Sequence, residues 1–311
     1  MNSAWTRRAA LAAICSSAAL LAACGSGSVA GAITPARFIS VGDGFADVGQ
    51  NGYRFTVNDG TNNWTQELAS HYSLTLTAAS SGGWSYAQGD ARVDTADTTS
   101  GTNAPSVKDQ IDTLLARVTF ADDDIVLVGG GIADIVNAVS TTGISSDTTA
   151  AVSAAGTALG AQVRRLVTAG AQHVVIAGVY NLGISPWARN MGQGSAVESL
   201  TTAFNDALLV SIVDLGANVL YVDAAYYFNL LVNSPTSYGL SNSTDVICTS
   251  VDSGNGIGIG TGQVNSSLCN SNTLVSGADA TKYVFADPVY FTPVAHRLFG
   301  TYAYDRVRAR W

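Results

Sequence analysis

Four short runs of apolar, mostly β-branched residues alternate along this chain with longer stretches of helical periodicity. The runs are residues 37–41, 124–128 (DIVLV), 173–179 (HVVIAGV) and 217–222 (ANVLYV). Short and almost continuously apolar runs are typical of strands that are buried on both faces of a parallel sheet. Because helical stretches separate them, the pattern predicts an α/β fold, a three-layer α/β/α sandwich with a parallel central sheet.

Apolar residues three and four positions apart predict the helices between these strands. The expected helices cover residues 63–71, 106–117, 148–168 and 195–216, and a last helix covers residues 293–308. Ser195, with Glu198 three residues later, predicts a capping box at the start of the fourth helix. In the last helix, Leu298, Tyr302 and Val307 are the candidates for the buried face.

Residues 1–23 have the pattern of an export signal. Arg7 and Arg8 precede an apolar run that is too short to cross a bilayer. The following sequence LAAC, which ends at Cys24, resembles a bacterial lipobox. It predicts a lipid anchor at Cys24 in the membrane, then a flexible tether over residues 24–34. Because Gly25 is not aspartate, the resemblance favours the outer membrane of a bacterial envelope. The alternative is an ordinary secretion signal with Cys24 near its cleavage site.

The rest of the chain has no break in composition, which predicts a single domain over residues 35–311. Its net charge of −8 argues against nucleic acid as a partner, since nucleic acid needs a basic surface. No cofactor is expected, because the glycine-rich residues 254–262 lack the strand and helix of a dinucleotide fingerprint. No metal is expected either, since the carboxylates Asp122, Asp123 and Asp124 are typical of a solvated turn.

Cys248 and Cys269 are the two cysteines that remain after Cys15 in the export signal and Cys24 at the predicted anchor. In an oxidising compartment, two remaining thiols indicate a disulfide. A two-cysteine metal site is the alternative, but no histidine lies near either residue. The polar, glycine-rich residues at about 239–278 contain both cysteines, and they are predicted to form a surface loop stapled by the disulfide.

Three segments are expected at the carboxyl ends of the strands, where open α/β sheets bind ligands. They are VGDGFADVG (residues 41–49), VGGGIADI (128–135) and FADPVYFTPVAH (285–296), and YAQGDARV (86–93) lies between the first two. In this order they resemble the blocks of the SGNH/GDSL esterase and lipase family, whose larger bacterial lipases carry a similar cysteine pair. The resemblance implies a flavodoxin-like sandwich and ester hydrolysis by a serine nucleophile.

The family's catalytic residues are substituted in this chain. Gly44 stands in the place of the serine nucleophile, and Tyr290 in the place of the histidine base. Ala133 replaces the asparagine that donates to the oxyanion, and Gly89 or Asp90, depending on the alignment, takes the place of the oxyanion glycine. A serine and its base act as a unit, so their joint loss predicts that the chemistry is no longer used.

The last block keeps Asp287, and the hydroxyl of Tyr290 is expected to donate to it. Three histidines, His71, His173 and His296, belong to the predicted domain. None has a motif that places it beside a serine, and each is expected to have a structural role. By the resemblance, His296 matches the family's later histidine, which serves packing or a hydrogen bond.

The sequence therefore predicts a non-catalytic pseudo-esterase of the cell envelope, whose cleft binds an acyl, ester or glycan ligand or a protein partner. The expected cleft residues are Asp43, Gly44, Gly89, Asp90, Gly131, Asp134, Asp287 and Tyr290. Two alternatives stay open. One is an active carboxylic ester hydrolase in which Asp43 or Asp287 activates water directly. The other is a purely structural envelope protein whose cleft is closed.

Overall fold

A parallel sheet of four strands runs through the centre of the molecule. Its strands are β1 (Arg37–Val41), β2 (Asp124–Val128), β3 (His173–Ala177) and β4 (Val219–Val222), hydrogen-bonded in the order β1-β2-β3-β4. The computed structural model describes residues 32–311, and residues 34–310 form one compact unit. The predicted export signal and Cys24 lie outside the described residues.

A fifth segment extends this sheet beyond β1. The amide of Ser40 donates to Trp84 O at 3.0 Å, and the amide of Tyr86 donates to Ser40 O at 2.7 Å. Residues 84–86 therefore lie parallel to β1 at the edge of the sheet. Counted in chain order the sheet reads 2-1-3-4-5, which is the flavodoxin-like order. The predicted α/β class and the parallel central sheet are confirmed.

Eight helices of the described residues cover the sheet. They are α1 (Trp64–His71), α2 (Val107–Leu115), α3 (Ile132–Thr142), α4 (Ser146–Thr168), α5 (Pro186–Asn190), α6 (Gly194–Ile212), α7 (Ala224–Asn233) and α8 (Pro293–Arg310). Helices α2, α4 and α6 pack side by side, and α1, α7 and α8 form a second group. The helical periodicity missed α3, α5 and α7.

Helices α4 and α6 approach closely because α4 has glycine at two positions one turn apart. A Cβ atom on Gly156 would lie 2.3 Å from the carbonyl oxygen of Phe204, and one on Gly160 would lie 2.3 Å from Cβ of Ser211. Gly194–Leu215 is long and apolar enough to cross a membrane by length and composition alone. A helix packed on a domain core satisfies the same criterion.

The predicted capping box at the start of α6 is wrong. The helix begins at Gly194, and its N-cap residue Gln193 makes no side-chain capping hydrogen bond. Glu198 instead accepts a hydrogen bond of 3.1 Å from Nδ2 of Asn181, in the loop after β3. The carboxylate of Glu198 therefore holds a neighbouring loop and does not cap the first turn of its own helix.

The buried face of α8 differs in part from the prediction. Val307 is buried as expected, whereas Leu298 and Tyr302 are only half-buried. Phe299 and Ala303, at four-residue spacing with Val307, complete the buried face. Tyr302 lies at the border of this face, where it stacks on Tyr227 with ring centroids 4.5 Å apart.

The carboxylate run before β2 is not entirely solvated. Asp122 and Asp123 are exposed as predicted, but Asp124 is buried. Its Oδ1 accepts a hydrogen bond of 2.8 Å from Nε of Arg37. This ion pair joins the first residues of β1 and β2 across the amino edge of the sheet.

Residues 239–278 are stapled by the predicted disulfide, with the Cα atoms of Cys248 and Cys269 5.8 Å apart. They are not a structureless surface loop. They contain β5 (Asn242–Val246), β6 (Val251–Asp252) and β7 (Gln263–Val264), and β5 pairs with β8 (Tyr283–Phe285). Both cysteines and Ile247 are buried against Val57 and Ala286. Most of these residues are exposed or half-buried, and the few apolar residues that are buried complete a small core beside the last block.

Candidate functional site

Asp43 joins the first block to the third block at the carboxyl ends of β1 and β2. Its Oδ1 accepts from the amide of Phe45 at 3.1 Å, and its Oδ2 accepts from the amide of Ile132, the first residue of α3, at 3.1 Å. The side chain is buried, and burial raises the pKa of Asp43 to about 7. Both oxygens are thus engaged by backbone donors, as in a structural clamp.

Asp47, which was not identified from the sequence, joins the first block to the second block. Its Oδ2 accepts from the amide of Gly89 at 2.8 Å, and its Oδ1 accepts from the amides of Gly49 and Gln50 at 2.8 and 3.0 Å. If Gly89 is the residue aligned with the oxyanion glycine, its N–H is therefore directed at a carboxylate of the protein.

Asp287 holds the last block in a tight turn. Its Oδ1 accepts from the amides of Val289 and Tyr290 at 2.8 and 2.6 Å, and its Oδ2 accepts from the amide of Ser266 at 2.9 Å. The expected hydrogen bond from the Tyr290 hydroxyl is not among these contacts, and Oη of Tyr290 lies beside Gly44 instead. Ser266 belongs to the stapled residues 239–278, so they help to position Asp287.

The ring of Tyr290 fills the space beside Gly44. A Cβ atom on Gly44 would lie 2.9 Å from both Cζ and Oη of Tyr290, closer than real Cβ contacts. Phe55 covers Gly89 in the same way, since a Cβ atom there would lie 1.6 Å from Cε2 of Phe55. The two rings are neighbours, with centroids 5.1 Å apart. We call Phe55 and Tyr290 the aromatic plug.

Phe55 was not identified from the sequence, because no family block includes it. The signal that was available is the pair of glycines, since a glycine inside a block leaves room for a large neighbour. Which ring occupies that room depends on the loop between β1 and α1. In that loop, Oγ1 of Thr56 donates to Phe291 O at 2.8 Å and fixes the position of Phe55.

Asp90 adds a buried carboxylate to this region. It has a left-handed backbone conformation, with φ of 63°, and it is buried. Burial, together with repulsion from Asp97, raises the pKa of Asp90 to about 8. Burial raises the pKa of Tyr290 well above its usual value, and Asp43, Asp90 and Asp287 raise it further. A tyrosinate base is therefore disfavoured at this position.

The third block forms the first turn of α3. Gly131 is the N-cap residue with φ of 112°, and a Cβ atom there would lie 2.3 Å from the ring of Phe204. Asp134 accepts from the amide of Val93 at 3.0 Å, and burial raises the pKa of Asp134 to about 6. Ala133 lies between them and is half-buried. Residue 133 in this first turn therefore offers no polar side-chain atom.

These contacts bring the four family blocks to one place at the carboxyl edge of a flavodoxin-like sheet. In fold, this chain resembles the SGNH/GDSL esterases. Similar solved structures include a carbohydrate acetylesterase from Sinorhizobium meliloti, at 10% identity over 88% of this chain and 99% of that chain, with a TM-score of 0.48. They also include an aryl esterase from M. smegmatis, at 14% identity over 88% of this chain and 99% of that chain, with a TM-score of 0.45.

One curated relative is a protein from Pseudomonas putida described as an uncharacterized protein in the trpE-trpG intergenic region. It is 25% identical over 158 residues, which are 51% of this chain. The match covers 25% of the length of that relative. No protein-family model matches the chain.

The predicted cleft at the carboxyl edge of the sheet is closed in this structure. All eight residues expected to line a ligand cleft are buried, and the plug residues Phe55 and Tyr290 are each 2% exposed. A ligand would therefore reach Gly44 only if the aromatic plug moved. Among the described residues, no group of three or more histidines, cysteines, aspartates and glutamates is arranged to hold a metal ion.

The histidines pack within the SGNH-like fold. His71 stacks on Tyr304, with centroids 4.3 Å apart. His296 stacks on Phe45 at 5.3 Å, and burial lowers the pKa of His296 to about 3. His173 is the first residue of β3, where burial lowers its pKa. The turn of the last block, where the family has its base, carries Tyr290.

Proposed function

We propose that this chain is a non-catalytic, SGNH/GDSL-like protein of the bacterial envelope, exported and lipid-anchored at Cys24, which acts by binding. The observation that carries this proposal is the position of Tyr290. Its ring takes the volume that a side chain on residue 44 would need. The chain thus lacks the nucleophile, and it also lacks the space for one.

The surroundings of Gly89 support the same conclusion. An oxyanion site needs donors directed at the position where negative charge develops. Here the amide of Gly89 donates to Asp47, and Phe55 lies over it. The alternative residue, Asp90, would place a carboxylate near the developing charge. Either alignment leaves a tetrahedral intermediate without stabilisation from the second block.

Direct activation of water by a carboxylate is the strongest competing mechanism. A general base must have an oxygen within hydrogen-bond reach of the water. Asp43 and Asp287 are 1% and 0% exposed, and all four of their carboxylate oxygens accept from backbone amides. Neither residue faces a space that holds a substrate. We therefore assign both carboxylates to holding the blocks together.

The test is hydrolysis of short- and medium-chain p-nitrophenyl esters by the wild type and by the triple variant Gly44→Ser/Ala133→Asn/Tyr290→His. We expect the wild type to match the buffer blank. The triple variant restores the family's residues and removes the ring that blocks position 44, so it should gain hydrolysis or labelling by a fluorophosphonate probe at that position.

The single variant Gly44→Ser is the matched control. It has the hydroxyl but keeps Tyr290 and lacks a base, so we expect neither hydrolysis nor labelling. Wild-type turnover at rates typical of enzymes would overturn the proposal. Circular dichroism of each variant separates loss of folding from loss of function.

A further inference from the structure

A cavity lies outside the plugged site, at the outer edge of the sheet. Its volume is about 460 Å³, within the range of small-molecule pockets. Its lining includes Gln50, Asn51, Tyr86, Gln88, Thr113 and Arg117. They come from the turn after the first block, from the segment beside β1 and the residues just after it, and from α2 and the turn that follows it.

The walls of this cavity are held by hydrogen bonds to the sheet and its loops. The amide of Gln88 donates to Gly42 O at 3.0 Å. Gln110 from α2 clasps the same residue, with Nε2 donating to Gly42 O at 2.9 Å and Oε1 accepting from its amide at 2.8 Å. Opposite them, Oγ of Ser80 donates to Gln50 O at 2.9 Å. A cavity with such walls is largely pre-formed.

The lining contains one charged residue, Arg117, whose guanidinium is used in hydrogen bonds to neighbouring lining and loop residues. Nη1 of Arg117 donates to Gly83 O at 2.8 Å and to the hydroxyl of Tyr86 at 3.1 Å, and its Nη2 donates to Gly82 O at 3.0 Å. The guanidinium lies over the ring of Trp84, 4.0 Å from its centroid. No carboxylate lines the cavity, although the chain has a net charge of −8.

Several uncharged polar groups of the lining have hydrogen-bonding capacity left. The side-chain amides of Asn51 and Gln88 make no hydrogen bond to another described residue. Gln50 uses Oε1 to accept from the amide of Ser80 at 3.0 Å, which leaves its NH₂ group free for another acceptor. The hydroxyl of Tyr86 accepts from Arg117, so its own hydrogen remains to be donated. The wall therefore offers both donors and acceptors.

We propose that this cavity binds a neutral saccharide unit. Each sugar hydroxyl is both a donor and an acceptor, so it matches a wall of amides and a phenol. An acyl chain would cover the half-buried amides of Gln50 and Gln88 without replacing the hydrogen bonds that they make to water. A cation would find no carboxylate. The proposal names the ligand class for the binding role stated above, and in that respect it rests on the proposed function.

The experiment measures binding of N-acetylglucosamine, maltose, glucuronate and butyrate to the purified full chain by saturation-transfer NMR and calorimetry. We expect one of the two neutral sugars to bind with a Kd on the order of millimolar, as is reasonable for a shallow polar pocket. Thr113→Trp fills the cavity from α2 and should weaken binding at least about 10-fold. Gln88→Ala should weaken it about 3- to 10-fold, the range for one neutral hydrogen bond.

The matched control is Thr149→Trp on α4. Both threonines are exposed, and in each the hydroxyl donates to the carbonyl four residues earlier, at 2.9 Å for Thr113 and 3.1 Å for Thr149. Thr149→Trp should leave sugar binding unchanged. This control shows that the loss in Thr113→Trp comes from the filled cavity and not from a surface tryptophan.

Three outcomes would overturn the inference: no binding of either neutral sugar, equal binding by Thr113→Trp, or tighter binding of glucuronate or butyrate than of the sugars. The ester assay separates this failure from failure of the proposed function. A wild type that hydrolyses esters and still binds sugar in a Thr113-dependent way keeps the cavity and loses the non-catalytic role. A wild type that neither hydrolyses esters nor binds sugar keeps the non-catalytic role and loses the saccharide site.

Discussion

Gly44 and Tyr290 share one volume, so a substitution at either position changes what the other can accommodate. The missing side chain at residue 44 and the large ring at residue 290 fit each other, with a virtual Cβ atom at 2.9 Å from the ring. The two positions should therefore be coupled energetically.

Gly44→Ser should destabilise the wild type by about 1–3 kcal/mol, the usual cost of inserting atoms into a packed interior. In a Tyr290→His background, the same substitution should cost about 1 kcal/mol less, because the smaller ring makes room. Urea unfolding of the wild type, the two single variants and the double variant gives the coupling energy. Additive effects of the two substitutions would contradict the shared volume.

Asp90→Asn should stabilise the protein at about pH 8 by on the order of 1 kcal/mol, and much less at about pH 5. Burial raises the pKa of Asp90 to about 8, so asparagine imitates the protonated form without the cost of a buried charge. Asparagine also tolerates the left-handed backbone at φ of 63°. The comparison is of melting temperatures at both pH values. The exposed Asp94→Asn is the control, and an equal effect there would refute the explanation.

At the scale of elements, the stapled residues 239–278 support the last block from outside the sheet. The amide of Ser266 donates to Asp287 at 2.9 Å. Nδ2 of Asn58 donates to the carbonyls of Ser266 and Cys269, both at 3.1 Å. The disulfide therefore lies next to the contacts that join the first loop of the domain to its last block.

The double variant Cys248→Ala/Cys269→Ala should lose about 3 kcal/mol of stability, since the bridge closes a loop with a sequence separation of 21 residues. The expected result is a lower melting temperature for the variant, and for the wild type after reduction. Dithiothreitol should not change the melting temperature of the double variant. If the melting temperature of the wild type stays the same after the protein has been reduced in denaturant and refolded, a structural role for the bridge is contradicted.

At the scale of the whole molecule, buried carboxyl groups give stability a pH dependence. Burial raises the pKa of Asp43 to about 7, of Asp47 and Asp134 to about 6, and of Asp90 to about 8. The native state therefore keeps protons that the unfolded chain releases near pH 4. Stability from these groups is fully present below that pH and is lost as the pH rises through about 6 to 8.

We expect the melting temperature to be higher at about pH 5.5 than at about pH 8. His296 opposes this trend, because burial lowers its pKa to about 3. The stability that this neutral imidazole contributes to the folded protein is lost as the pH falls below 6.5, the usual pKa of histidine. Four carboxyl groups outweigh one imidazole in this interval. Calorimetry at constant ionic strength tests the sign, and a melting temperature that rises from the lower to the higher pH would show it to be wrong.

The elements of the fold follow closely from local sequence. β1 and β2 lie where the apolar runs predict them, because strands buried on both faces need apolar side chains throughout. α1 begins after Asn63, whose side chain caps the helix at the first residue of the predicted segment. α3, α5 and α7 were missed, and α3 begins inside the third block, whose residues were interpreted as part of a site and not as a helix.

The sequence by itself determined which side chains stand at these positions, because a glycine at residue 44 has no hydroxyl and a tyrosine at residue 290 has no imidazole. It could not determine what fills the space. Phe55 and Tyr290 come from segments more than two hundred residues apart, and only the folded chain places their rings over Gly89 and Gly44. Side-chain volume is shared among neighbours in three dimensions, and local sequence does not specify those neighbours.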